Sequence, residues 1–287
     1  MIDFSLTISF VQYLLLFKKN QMKKLFSLSI LAFASMLFIS SCKDDDDTTT
    51  PTTTTYASGE VTLEFDNIAG TTHLDVTGGT NYTNSSGETF TVTKFKYYVS
   101  NVSMIKEDGS VYNVPDQVFL IDESDSNSVA AVLENIPGGK YKGVEYTIGI
   151  DSTRNVSGAQ QGALDPANGM FWDWNAGYIF LKLEGTSPAA GMGGDFMYHI
   201  GGYKNSNNTN AQRRVHIDFD PSTLIVDGTK REAEVHMLVD VLEFFKNPTN
   251  YSIATNGMIM SPGAAAMTLA DNYVDMFSLD HIHNDVK

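Results

Sequence analysis

The chain of 287 residues carries 34 acidic against 19 basic side chains, a net charge of −15, which disfavours nucleic acid and anionic membrane surfaces as partners. It has a single cysteine, Cys42. If that thiol carries lipid, the folded part has no disulfide, no thiolate zinc finger, no thiol nucleophile and no blue-copper centre.

The chain opens with an export signal. Lys23-Lys24 is its charged region, Leu25 to Ile39 its apolar region, and Ile39-Ser40-Ser41-Cys42 a small-residue cleavage site ending in cysteine. The apolar run is short for a membrane span. Met22-Lys23-Lys24 begins a complete signal by itself, so residues 1–21 read as an upstream mis-start and residues 22–41 as a lipoprotein signal peptide. Acylation of Cys42 would anchor the protein through chains worth about 0.8 kcal/mol per buried CH₂. Removing residues 1–41 takes away four basic and one acidic residue and leaves a net charge of −18.

Residues 42–57, with Lys43-Asp44-Asp45-Asp46-Asp47 and the Thr-rich run around Pro51, have almost nothing to bury and read as a disordered tether. The Lys-Asp run after the cysteine suits an outer-membrane lipoprotein exported to the external face; a merely solvating linker is the other reading. Residues 58–287 show no second linker and are expected to form one domain.

Strand-like runs follow at Glu60 to Ile68, Glu88 to Lys106, Val118 to Asp122, Val129 to Ile136, Tyr141 to Asp151, Tyr178 to Glu184, Asp195 to Ile200, Arg213 to Phe219 and Glu232 to Val241. Many alternate apolar and polar residues, as in Val61-Thr-Leu-Glu-Phe65, and Gly, Pro, Asn and Asp separate them. One helix is predicted over Pro262 to Met276, with Ser261-Pro262 as N-cap and first-turn proline. The expected fold is all-β, an antiparallel β-sandwich with long elaborated loops and one short C-terminal helix.

Both tryptophans fall in one passage, Asp165-Pro-Ala-Asn-Gly-Met-Phe-Trp172-Asp-Trp174-Asn, where turn signals give way to the alternation of Tyr178 to Glu184. Trp172 and Trp174 suit core anchors, an aromatic glycan platform or a target of oxidation. All six histidines, His73, His199, His216, His236, His281 and His283, lie in the presumed domain. Neutral imidazole suits copper, zinc, iron and nickel, but no zinc-enzyme spacing is present, so any metal site would be assembled from distant segments. In Asp280-His281-Ile-His283-Asn284-Asp285 two histidines at i and i+2 would share one face if extended, with carboxylates beside them; an exposed polar tail is the alternative. The single histidines of Tyr198-His199 and Val235-His236 also suit hydrogen-bonded strand residues. No calcium loop, nucleophile elbow, phosphate loop or dinucleotide fingerprint occurs, and no turnover is expected.

Taken in order, Thr62-Leu-Glu-Phe65, Thr91-Val-Thr-Lys-Phe-Lys-Tyr-Tyr-Val-Ser-Asn-Val102, Tyr146-Thr-Ile-Gly-Ile-Asp151, Gly162-Ala-Leu-Asp-Pro-Ala-Asn-Gly-Met-Phe-Trp172, Trp174-Asn-Ala-Gly177, Tyr198-His-Ile-Gly-Gly202, Val235-His236 and Asp275-Met-Phe-Ser-Leu-Asp-His-Ile-His283 resemble the motifs of MbnP-like copper-binding proteins. The resemblance implies an exported β-rich protein that binds copper through histidine and partners an MbnH-type di-haem cytochrome peroxidase-like enzyme, which in relatives oxidises a tryptophan to kynurenine. By position it nominates His199, His236, His281 and His283 as metal ligands and Trp172 or Trp174 as the modified residue. Where several relatives have a histidine after the first strand this chain has Asp66-Asn67, and His73, a few residues on, completes the candidate set. The function implied is copper storage, scavenging or delivery; a surface glycan-binding or adhesion lipoprotein using the tryptophan loop is the alternative.

Overall fold

The computed structural model describes residues 54–173, 177–191, 193–204 and 209–286. The export signal, Cys42, most of the tether and Trp174 lie outside the described residues. Residues 53–287 form one compact unit. Its main strands are, in chain order, β1 (Gly59–Ala69), β2 (Thr89–Lys106), β3 (Val118–Asp122), β4 (Ala130–Ile136), β5 (Gly139–Ile148), β6 (Gly177–Thr186), β7 (Asp195–Gly201), β8 (Arg213–Asp218), β9 (Leu224–Val226), β10 (Arg231–Asp240) and β11 (Phe277–Val286).

They build two sheets. The smaller has five strands, in the order β11, β10, β1 and the short Thr72–His73, with β4 also paired to β1. The larger has eleven and runs β8, β5, β2, β6, β7 and Met258–Ile259, with β3, β9 and shorter strands, including Phe171–Asp173, paired along this path. Alternation drives both: Val61, Leu63 and Phe65 of β1 and Val235, Met237 and Val239 of β10 are buried, and the residues between them face outward.

The two sheets meet through aromatic rings. Phe65 and Phe277 of the small sheet pack edge-on against Tyr97 and Tyr146 of the large one, with centroids 5.6–6.0 Å apart. The buried Tyr97 hydroxyl donates to Asn67 Oδ1 at 3.0 Å, so it is not left unsatisfied. Burial pushes both tyrosine hydroxyls well above their ordinary pKa.

Three details differ from the sequence expectation. The sheets are mixed, because β1 and β10 run parallel, as do β7 and Met258–Ile259; period-two alternation is the same for either direction. The helix α1 (Ser152–Val156) is an addition to the C-terminal one, and it is capped by the Asp151 side chain on the Arg154 amide. The C-terminal helix α2 spans Ala264–Asn272, two residues later than its proline suggested, with Gly263 at the N-cap and no side-chain cap bond; a tighter turn, Tyr273–Met276, continues it. Among the described residues no helix is long and apolar enough to cross a membrane.

Candidate metal centre

The outward face of the small sheet carries the cluster. On β10 the outward residues are Glu232, Glu234, His236, Leu238 and Asp240. On β1 they include Thr62, Glu64 and Asp66, and Glu64 is the register partner of His236. The C-terminal segment forms β11, an antiparallel partner of β10, rather than a free tail. Phe277 stands opposite Val239 and Leu279 opposite Met237; the register then shifts, so that His281 faces His236 and His283 faces Glu234.

Asp280 is the extra residue of this bulge. Unbroken alternation from the buried Phe277 would turn residues 279, 281 and 283 toward the core. The bulge resets the phase. His281 and His283 emerge beside His236, and Ile282 turns back to pack against the core.

Ligand atoms of His236, His281 and His283 all lie within 4.8 Å of one another. The His236 and His281 rings stack at 4.3 Å between centroids and 10° between planes, and His283 stands edge-on to both, at 5.0 and 4.7 Å. The Nε2 atoms of His281 and His283 are 2.9 Å apart. Carboxylates lie near each Nδ1: Glu64 at 3.2 Å from His236, Asp285 at 3.7 Å from His283, and Asp280 in a hydrogen bond of 2.8 Å with His281. The carboxylate on the Nδ1 of His281 favours the tautomer that leaves its Nε2 as a lone pair, to which the Nε2 of His283 donates. The Nε2 of His236 is buried with no hydrogen-bond partner, and Glu234 Oε2 lies 3.6 Å from it. Because the stacked rings point side by side, closing on one ion requires a tilt. The side chains of His281 and His283, 46% and 43% exposed, have room for it.

A family model for MbnP matches residues 58–261. The chain belongs to the MbnP family. Among solved structures, MbnP from Methylosinus trichosporium is similar at 15% identity, with a TM-score of 0.50 over 79% of this chain and 99% of that one; at this identity the likeness shows the fold. No curated protein matches the chain. The matched MbnP region includes His73, His199, His236 and both tryptophans but ends before His281 and His283, so two of the three clustered histidines are supplied by β11 beyond it.

Of the five histidines nominated as ligands in this MbnP-family chain, the fold brings three together. His199 lies on β7 in the other sheet, 6% exposed, with Nε2 2.7 Å from Glu184 Oε1. Lys94 pairs with the same carboxylate at 3.0 Å. The hydrogen bond from His199, opposed by burial and aided by Lys94, holds the Glu184 pKa down at about 2. His199 Nδ1 is buried without a partner, but no second imidazole joins it in a cluster among the described residues. His73 is exposed on the short strand beside β1. Its two nitrogens point different ways, Nδ1 to Asp66 at 3.4 Å and Nε2 to Glu123 at 3.0 Å. Burial pushes the Glu123 pKa up, against the hydrogen bond from Asn67.

Trp172 is half-buried on Phe171–Asp173, which pairs with the start of β6 as a hairpin. Its six-membered ring lies against Gly201, where a Cβ would come within 2.9 Å of it, and its Nε1 is buried without a hydrogen-bond partner. The indole therefore packs at the core edge of the large sheet, while the imidazoles occupy the outward face of the small one. Trp174 lies outside the described residues. Sequence reasoning missed Glu64 and Glu234: the Glu234-x-His236 spacing held a signal for one, whereas Glu64 depends on strand register alone.

Proposed function

We propose that this MbnP-family protein binds copper at His236, His281 and His283 and stores, scavenges or delivers it at the cell envelope, without turnover of its own. The convergence of three imidazoles whose ligand atoms lie within 4.8 Å of one another, with carboxylates around them, carries the reading. The donor set fits: neutral imidazole suits copper, and an orphaned Nε2 on the least exposed ring marks where a cation is accepted. Asp280 would orient the His281 ring, and the acidic outward face, with Glu64, Glu234 and Asp285, would draw cations toward the cluster.

Cys42 anchors the chain to the outer membrane through lipid, and the acidic tether gives it reach. Oxidation of Trp172 or Trp174 to kynurenine by a di-haem partner belongs to the same reading, as an event on the large sheet separate from the imidazole cluster. The glycan-platform alternative draws no support from Trp172, whose ring is engaged with the Gly201 backbone.

Copper titration of the purified full-length protein against a chromophoric chelator is expected to give one tightly held ion per chain, lost when all three histidines become alanine. Equal titrations of the two proteins reject the assignment. Cys42→Ser is expected to abolish incorporation of labelled fatty acid. Co-expression with an MbnH-type enzyme is expected to exchange one carbon for one oxygen in the mass of a peptide spanning Phe171 to Asn175; an unchanged peptide beside an active partner removes the maturation step.

A further inference from the structure

We propose that Met197, Met258 and Met260 form a second site, a shallow and exchangeable one for a soft monovalent cation, at the edge of the large sheet; it rests on the copper reading of the imidazole cluster for the identity of that cation as copper(I). The placement of the methionines carries the inference. Eight of them lie among the described residues. Met104, Met170, Met237, Met267 and Met276 are buried in the core. The other three are gathered in one place: Met258 and Met260, 56% and 43% exposed, on and just after the short strand Met258–Ile259, and half-buried Met197 on β7 beside it.

Register puts them on one face. Met258–Ile259 runs parallel to β7, with Met258 opposite Met197 and Ile259 opposite Tyr198. The Met197 amide donates to the Gly257 carbonyl at 2.8 Å, which fixes the edge strand. Tyr198 and Ile259 are buried, and Tyr198 packs on Phe244 and Phe245, so alternation turns Met197 and Met258 to the opposite face. Met260, two residues past Met258, continues that face. Paired strands lie about 4.8 Å apart and alternate residues of one strand about 6.6 Å apart. Three unbranched side chains, each with three rotatable bonds, can therefore bring their sulfurs to one point.

Exposure is not what methionine does by default, since it ranks among the side chains most often buried. The other large apolar residues exposed among the described ones are four valines, Val111, Val132, Val156 and Val286, each alone on its own element. Clustered thioethers are thus a property of this edge and not of the surface at large. Thioether sulfur is soft and uncharged, and it selects copper(I) over the hard divalent ions. Asp195, exposed on the same face two residues before Met197, brings a negative charge to the rim. Because the sulfurs stand in water on flexible stems, gathering them costs side-chain entropy, and the site holds its ion more loosely than the imidazoles do. Such a site suits exchange of the ion with the surroundings.

The test labels the methionine methyl groups of the full-length protein with carbon-13 and titrates it with silver(I), a redox-inert stand-in, and with copper(I) under ascorbate. Two variants are treated alike: Met258→Leu with Met260→Leu, and His236→Ala with His281→Ala and His283→Ala. Leucine keeps the volume of methionine and removes the sulfur. The Met197, Met258 and Met260 methyl signals are expected to shift together with either ion while those of the five buried methionines stay in place. The leucine variant is expected to weaken this binding by at least about tenfold, since loss of a mere supporting group already costs a metal site that much. The alanine variant is expected to show the same methyl shifts as the unaltered protein. If it does so and the unaltered protein holds copper no more tightly than it, the imidazole reading falls while the thioether site stands. If the three methyl signals stay silent toward both ions, or the leucine variant binds as the unaltered protein does, the thioether site falls whatever the histidines hold.

Discussion

His199 and His236 sit on middle strands of the two sheets, each beside a carboxylate, and they do opposite work. His199 is buried with its Nε2 committed to Glu184 at 2.7 Å, and Lys94 and Lys182 pair with the same carboxylate. His236 is 19% exposed, lies between Glu64 and Glu234 at 3.2 and 3.6 Å, and is joined by two further imidazoles. A metal-binding histidine needs access and convergent neighbours in addition to burial. The large-sheet histidine has become part of an internal charge network, and the small-sheet one part of a cluster of three imidazoles on the outward face.

The sharpest way to break this contrast is to exchange alanine for each. His236→Ala is expected to weaken copper binding by more than about 100-fold, above the range seen when only a supporting partner is lost, with little change in stability because its face is open. His199→Ala is expected to leave copper affinity within about twofold and to cost about 1–3 kcal/mol in denaturant unfolding, the usual penalty for orphaning a buried partner. Equal copper losses from the two variants would overturn the distinction.

The charge network has a pH signature of its own. Glu184 is held at about 2 in the folded protein against an ordinary value of 4.5. A depressed carboxylate contributes stability above its unfolded pKa and loses it as pH falls through the folded value. Between about pH 4.5 and 2 the protein is therefore expected to lose on the order of 2 kcal/mol through this group, after allowance for partial solvent screening. Glu184→Gln should flatten that part of the curve of unfolding midpoint against pH; curves of the same slope for both proteins would show that the network is not coupled in this way.

The smallest effect tests the bulge. Deleting Asp280 closes β11 into regular alternation from Leu279 to His281, which keeps His281 and His283 on the outward face and removes only the Nδ1 partner of His281. Copper affinity is expected to fall by about tenfold or less. A loss as large as that of His236→Ala would mean that the bulge shapes the site beyond setting its phase.

Much of the framework was legible in residue order. Val61-Thr-Leu-Glu-Phe65 announces β1, and Glu232 to Val241 announces β10 within a residue or two, because a strand with one face in the core must alternate. The motifs from Thr62 to Gly202 likewise placed the chain near the MbnP family, which the family match now shows. The candidate site was only half legible. His236, His281 and His283 were named together with His73 and His199: the i, i+2 spacing and flanking carboxylates marked His281 and His283 as a pair, but nothing local tied them to His236 rather than to His73 or His199.

Local chemistry in the sequence settled which segments are strands and which residues carry imidazole and carboxylate, because alternation, composition and side-chain identity need no partner strand. Tertiary structure decided the parallel pairing of β1 with β10, which sets Glu64 beside His236, and the bulge at Asp280, which turns His281 and His283 outward. Register is a relation between strands brought together from distant parts of the chain, and a shift of one residue changes the face of every side chain beyond it.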